Sequence, residues 1–296
     1  MIRLDLDQKL LVSPGATVKV SDFSTEYSAG LADKQQAAEE LASNIEMMRM
    51  LQDKLYAHNR YSVLILFQAM DAAGKDGTIK NVMSGVNPQG TQVVSFKTPS
   101  AEELDHDYMW RIYKRLPERG MIGIFNRSYY EEALVVRVHP EFLLKQQLPD
   151  VQDPMHVDEA FWQTRFRQIN SFERHLHENG TVILKFFLNV SKEEQKKRFM
   201  RRIEDPSRNW KFSKSDVEER QHWDKYMHAY SELLSNTSTD YAPWYVIPAD
   251  KKWFMRMAVS NIIMNKLNEL PLHYPKMSQE DLDRLEDARK RLEKEK

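Results

Sequence analysis

The chain of 296 residues contains no cysteine. Disulfides, thiol nucleophiles and Cys-ligated metals are therefore excluded. An excess of either charge sign is missing too. Its 43 Lys and Arg residues against 44 Asp and Glu leave a net charge of −1. Bulk nucleic-acid binding is not expected from such a balance, and a polyanion partner would have to be held by a local cationic patch. No apolar run reaches bilayer-spanning length, and the N-terminus lacks the pattern of a secretory signal. The expectation is a soluble, cytoplasmic protein with no membrane partner. There is no internal repeat and no low-complexity segment. What remains, 41% hydrophobic and 29% charged, suits one large α/β domain or two small ones with ample core.

Residues 61–80, YSVLILFQAMDAAGKDGTIK, organise the rest. Residues 63–67 are an apolar run of the length of a strand buried on both faces. Small residues follow over 69–77, and a helix is expected from Thr78. A buried strand, a Gly-containing loop with a Lys, and a helix start form an arrangement that cradles phosphate on backbone N–H groups. Against the pattern G-x-x-x-x-G-K-[ST], Gly74 and Lys75 match. Ala69 replaces the first Gly, and Asp76 replaces the Ser or Thr. Lys75 is the expected phosphate-contacting cation. Asp71 inside the loop would repel phosphate unless a divalent cation lay between them; the competing reading is a helix-capping Asp. The candidate phosphate cradle is Ala72, Ala73, Gly74, Lys75, Asp76, Gly77 and Thr78.

Further strands are expected at 92–96, 121–125, 181–188 and 244–247. Helices are expected at 33–58, 100–116, 161–179, 213–234 and 253–270. Residues 1–32 read as a surface arm, 135–155 as an excursion, and 278–296 as a charged helix. Strands separated by helical stretches give parallel crossovers and a doubly wound sheet, whose ligands bind beyond the strands' C-terminal ends. Two more polar clusters fall at that edge. In the first, 126–132, Arg127 offers a planar fork of donors for phosphate. Asn126 stands at the strand end as an uncharged metal-ligand candidate, with Glu131 and Glu132 as nearby carboxylates or merely solvated ones. The second is the basic segment with Arg198, Arg201 and Arg202, then Arg208 and Lys211. Residues 191–234, helix, loop and helix, read as a lid that excludes water, the competing reading being a solvated charged face.

Residues 67–78, the turn GVNPQG at 85–90, residues 125–131 and the lid residues 201–206 with Trp210 and Lys211 resemble the polyphosphate kinase 2 family, in family order over nearly the whole chain. The resemblance implies a P-loop kinase fold similar to thymidylate kinase: a five-stranded parallel sheet flanked by helices, with a helical lid. It implies reversible, Mg²⁺-dependent transfer of a terminal phosphate between inorganic polyphosphate and adenine nucleotides, with Mn²⁺ and guanine as the alternative metal and base. By position, Asp71, Lys75, Arg127, Arg198, Arg202 and Lys211 carry over as catalytic residues, with Asp71 at the metal. Asn126 in place of the family's common Asp, with Glu131 and Glu132, resembles the subgroup that phosphorylates both AMP and ADP. Homo-oligomers, dimers or tetramers, are implied as well. Two other readings stay open: an ATP-dependent nucleotide kinase, and a non-catalytic polyphosphate- or RNA-binding protein.

Overall fold

The computed structural model describes residues 6–31, 34–154 and 157–295. The fold grows outward from β1 (Ser62–Gln68), every residue of which is buried. A strand can be buried along its whole length only if both faces and both edges are covered. β1 accordingly pairs in parallel with β3 (Ile122–Asn126) on one side and with β4 (Thr181–Asn189) on the other. β2 (Thr91–Ser95) adds beyond β3, and β5 (Trp244–Pro248) beyond β4. The order is β2-β3-β1-β4-β5, all parallel. All four predicted flanking strands are present, within two residues of their expected ends.

The helices are α1 (Leu6–Leu10), α2 (Lys34–His58), α3 (Lys75–Val82), α4 (Ala101–Leu104), α5 (Trp110–Tyr113) and α6 (Val135–Val138). Then come α7 (Glu159–Glu178), α8 (Lys192–Glu204), α9 (Lys214–Glu219), α10 (Trp223–Thr237), α11 (Lys252–Glu269) and α12 (Gln279–Leu292). The crossover from β1 to β2 runs one way along the sheet and that from β3 to β4 runs the other. Right-handed crossovers therefore put α3 and α7 on opposite faces. α11 packs with both α2 and α3, while α10 packs with α7. The reversal places a crevice at the C-terminal end of β1, where open α/β sheets bind ligands.

Two helix expectations need correction. The helix expected over 100–116 starts with its capping box, Glu103 N donating to Ser100 Oγ at 3.2 Å and Ser100 N to Glu103 Oε2 at 2.9 Å. It stops at Leu104, because Asp107 Oδ1 takes the Met109 N–H at 2.9 Å and the chain turns before α5. The helix expected over 213–234 is broken into α9, a 3-10 turn Arg220–His222 and α10, and Ser213 does not cap α9 with its side chain. The N-terminal arm packs on the domain over 6–31 and is anchored at four points. Leu6, Leu10, Val12 and Val20 enter the core. Leu11 forms an antiparallel bridge with Tyr245, covering the open edge of β5. The excursion holds α6 and a 3-10 helix Pro140–Gln146; Met155 at its end lies outside the described residues. α12 is the expected charged helix, capped by Ser278 and with no buried residue.

Candidate active site

The loop after β1 closes by Ala73 N donating to Met70 O at 3.2 Å. Ala72 sits at φ +60° and Gly74 at φ +114°. The second value lies where side-chain-bearing residues are strained, and a Cβ on Gly74 would approach Met255 Cε to 3.2 Å. α3 starts at Lys75, one turn earlier than the sequence suggests, with Gly74 as its N-cap. Thr78 is fully buried, and both its N–H and its hydroxyl bond Gly74 O, at 2.9 and 3.0 Å. The Lys75 side chain curls back so that Nζ donates to Ala69 O at 2.8 Å, arching over the loop it follows. Burial lowers its pKa below the ordinary Lys value, while Asp71 opposes that shift.

The end of β3 supplies the facing wall. Parallel pairing sets Asn126 opposite Phe67. Asn126 Nδ2 donates to Asp76 Oδ1 at 2.6 Å, so an amide meets the carboxylate that stands at the usual Ser/Thr position. An Asp at 126 would repel it. Arg127 takes a left-handed backbone, φ +64°, and its N–H is held by Phe67 O at 3.1 Å. That bend turns its guanidinium toward the loop, where Nη2 bonds Asp71 Oδ1 at 3.0 Å and Nη1 lies 4.0 Å from Glu131 Oε2. Burial raises the Glu131 carboxyl pKa, and Arg127 and Lys75 act against that rise. With its amide oriented to match its neighbours, Gln68 donates to Glu131 Oε1 at 2.8 Å and accepts from Ser128 N at 3.1 Å.

Asp71, Lys75, Asp76, Asn126, Arg127 and Glu131 are thus brought together. Glu132, next in sequence, is not. It accepts from Gln146 Nε2, whose Oε1 accepts from Arg165 at 3.2 Å. Gln146 and Arg165 line a separate cavity of about 1130 Å³. Successive residues of a 3-10 turn point about a third of a turn apart, which parts the two glutamates.

The lid residues divide as well. Arg198, expected to be a catalytic lid cation, is buried with every N–H committed. Nε bonds Glu194 at 2.8 Å, Nη1 the carbonyls of Ala72 and Ala73 at 3.1 and 2.5 Å, and Nη2 those of Ala249 and Asp250 at 2.6 and 3.2 Å. It braces the loop from behind. Arg202 Nη1 bonds Asp216 Oδ2 of α9 at 3.0 Å and Lys211 O at 3.3 Å. Asp71 and Arg127 both act on the Asp216 carboxyl, whose pKa burial raises first. This lid pair therefore faces the loop. The Lys211 ammonium instead lies 4.9 Å from the exposed Trp210 ring. Sequence reasoning missed Asp216, Gln68 and Gln195. A Gln three residues before Arg198 shares its helix face, and that spacing was the available signal for Gln195.

A model of the family Polyphosphate kinase 2 (PPK2) matches residues 31–273. This chain belongs to that family. The PPK2 match is supported by an ADP-polyphosphate phosphotransferase of Rhodopseudomonas palustris, 51% identical over 89% of this chain and 90% of that one. An AMP/ADP-polyphosphate phosphotransferase of Meiothermus ruber is 44% identical over 90% of this chain and 95% of its own. The crystal structure of Polyphosphate Kinase 2 from Arthrobacter aurescens TC1 superposes with a TM-score of 0.83 at 40% identity, covering 92% of each chain. The PPK2 fold here is a P-loop kinase fold, and the chain is a polyphosphate–nucleotide phosphotransferase. No helix among the described residues is long and apolar enough to cross a membrane.

Proposed function

We propose that this PPK2 member moves the terminal phosphate of inorganic polyphosphate onto AMP and ADP, giving ADP and ATP, reversibly. The observation that carries this is the interleaving of cations and carboxylates at one loop: Lys75 and Arg127 with Asp71 and Glu131. A terminal phosphate oxygen of the nucleotide attacks the end phosphorus of polyphosphate. The new P–O bond forms as the bridging P–O bond breaks, and polyphosphate leaves one unit shorter. The attacking oxygen is already an anion, so no side chain has to remove a proton. The protein's part is positioning and charge neutralisation. Loop N–H groups and Lys75 hold the transferring phosphate. Arg127 forks onto its oxygens, and Arg202 closes with the lid on the polyphosphate side.

A divalent metal fits this donor set. No group of three His, Asp or Glu residues suited to a metal occurs among the described residues. Mg²⁺ is commonly bound through one or two carboxylates together with substrate phosphates and water. Asp71 would hold it, with Mn²⁺ as the substitute, and it would offset the charge that Asp71 and phosphate bring together. Lys211 and Glu132 enter this proposal from the basic segment, the strand-end cluster and the resemblance; lid closure would have to carry Lys211 inward. Adenine nucleotides are the proposed acceptors and a homo-oligomer the proposed assembly, which sedimentation velocity would count.

A second reading, with ADP and not AMP as the acceptor, is favoured by the name of the 51% identical relative, an ADP-polyphosphate phosphotransferase. A product time course from AMP, polyphosphate and Mg²⁺ decides. ADP followed by ATP is expected; no ADP refutes AMP acceptance. Replacing polyphosphate by ATP tests the donor, and equal ADP formation from ATP would refute the polyphosphate reading.

A further inference from the structure

Behind the phosphate loop lies α8, and two of its side chains three residues apart reach one stretch of loop backbone. Gln195 Nε2 donates to Asp71 O at 2.9 Å. Arg198 Nη1 donates to Ala72 O and Ala73 O at 3.1 and 2.5 Å. The carbonyls of residues 71, 72 and 73 are thereby drawn toward α8. In a trans peptide the C=O and the following N–H point in opposite directions. Each carbonyl drawn back therefore aims the next N–H away from α8. For Ala73 that N–H closes the turn onto Met70 O. For Ala72 and Gly74 it is presented on the side of the loop that an anion would occupy.

Gln195 is 1% exposed, and its other amide atom is used too. Its Oε1 accepts from Arg220 Nη1 at 2.7 Å, and the same nitrogen donates to Lys192 O at 2.8 Å. Arg220 opens the 3-10 turn that breaks the lid between α9 and α10. One buried amide thus touches the phosphate loop with its donor and the root of the lid with its acceptor. Among uncharged side chains, Asn and Gln carry an amide that donates from one atom and accepts at another.

We propose that Gln195 is a positioning residue that holds the loop's N–H groups toward the phosphate donor and, through Arg220, couples that orientation to the lid. It rests on the polyphosphate-donor reading above. The test is titration calorimetry of the full chain with tripolyphosphate and Mg²⁺, alongside steady-state kinetics and thermal melting. Gln195→Leu loses both bonds; Gln195→Glu keeps an acceptor for Arg220 and loses the donor to Asp71 O. Both are expected to weaken tripolyphosphate binding about tenfold, the worth of one buried hydrogen bond. They should raise KM for polyphosphate while leaving KM for the nucleotide within twofold, a split that general loosening would not give. Arg220→Met should reproduce the effect, and Gln195→Leu/Arg220→Met should be no worse than Gln195→Leu alone, because both remove one connection. A dissociation constant for Gln195→Leu within twofold of native, or equal rises in both KM values, overturns the proposal. If Gln195→Leu does not fold, Arg220→Met decides, and native-like binding by that variant overturns it. Failure of the native protein to bind tripolyphosphate would refute the donor reading itself, and this inference with it.

Discussion

Replacing Lys185 by Met should cost more stability than any change at the phosphate loop. Lys185 lies in β4, and both it and Glu173 of α7 are fully buried. Nζ donates to Glu173 Oε2 at 2.7 Å, to Thr237 O at 2.6 Å and to Tyr130 Oη at 2.9 Å. Burial lowers the Lys185 pKa, and Glu173 opposes this. Removing the ammonium leaves the Glu173 carboxylate with only the Tyr129 and Tyr130 hydroxyls, at 2.7 and 2.8 Å on Oε1. Stranding one partner of a buried pair costs about 3–5 kcal/mol. At roughly 2.1 cal/mol/K of unfolding entropy per residue, a chain of 296 residues loses about 5–8 °C of Tm for that cost. Scanning calorimetry reads it. Lys185→Met/Glu173→Leu should recover most of the loss, since no charge is then stranded. The function should suffer as well, because Tyr129 and Tyr130 open the 3-10 turn that carries Glu131. A Tm drop under about 2 °C, or a double variant as unstable as the single one, would refute the reasoning.

Lys75→Ala should lower turnover roughly 10²–10³-fold or more, the worth of a charge-stabilising contact at the transferring group, while the melting temperature changes little. Burial sets the free-enzyme pKa of Lys75 below the ordinary 10.5, so kcat/KM should fall on the alkaline side before an ordinary Lys would deprotonate. Bound polyphosphate favours the ammonium, so the corresponding limb of kcat should lie at higher pH; coincident limbs would contradict the assignment. Gly74→Ala should destabilise by about 1–3 kcal/mol through backbone strain and weaken tripolyphosphate binding, read by melting and calorimetry. Arg202→Ala should raise KM for polyphosphate severalfold with an unchanged melting temperature, and an unaltered KM would remove Arg202 from the donor path.

The central strand was legible because residues 63–67 form an uninterrupted apolar run, and the loop because small residues with Gly74 and Lys75 follow it. Asn126 and Arg127 were legible as a polar burst at a strand end. Other features depend on tertiary geometry that no local pattern carries. Glu131 and Glu132 are adjacent and chemically identical, yet one faces Lys75 and the other Gln146. Arg198 and Arg202 read as one basic face, but the wall behind the loop absorbs the first and Asp216 meets the second. Lys185 sits among Leu184, Phe186 and Phe187, where only its distant partners explain a charge. The helix break after Leu104 was local, and the Asp107 turn was its missed signal.

Before any substrate arrives, Arg127 is held by Asp71, Arg202 by Asp216, and Lys75 lies within the field of Asp71 and Glu131. A polyanion approaching this crevice meets a surface already close to electrical balance. Entry would then be an exchange of ions, in which the cations turn to phosphate oxygen and the released carboxylates would be free to hold a divalent metal. A protein built this way can gather guanidinium and ammonium groups around one phosphorus atom without their mutual repulsion opening the empty fold.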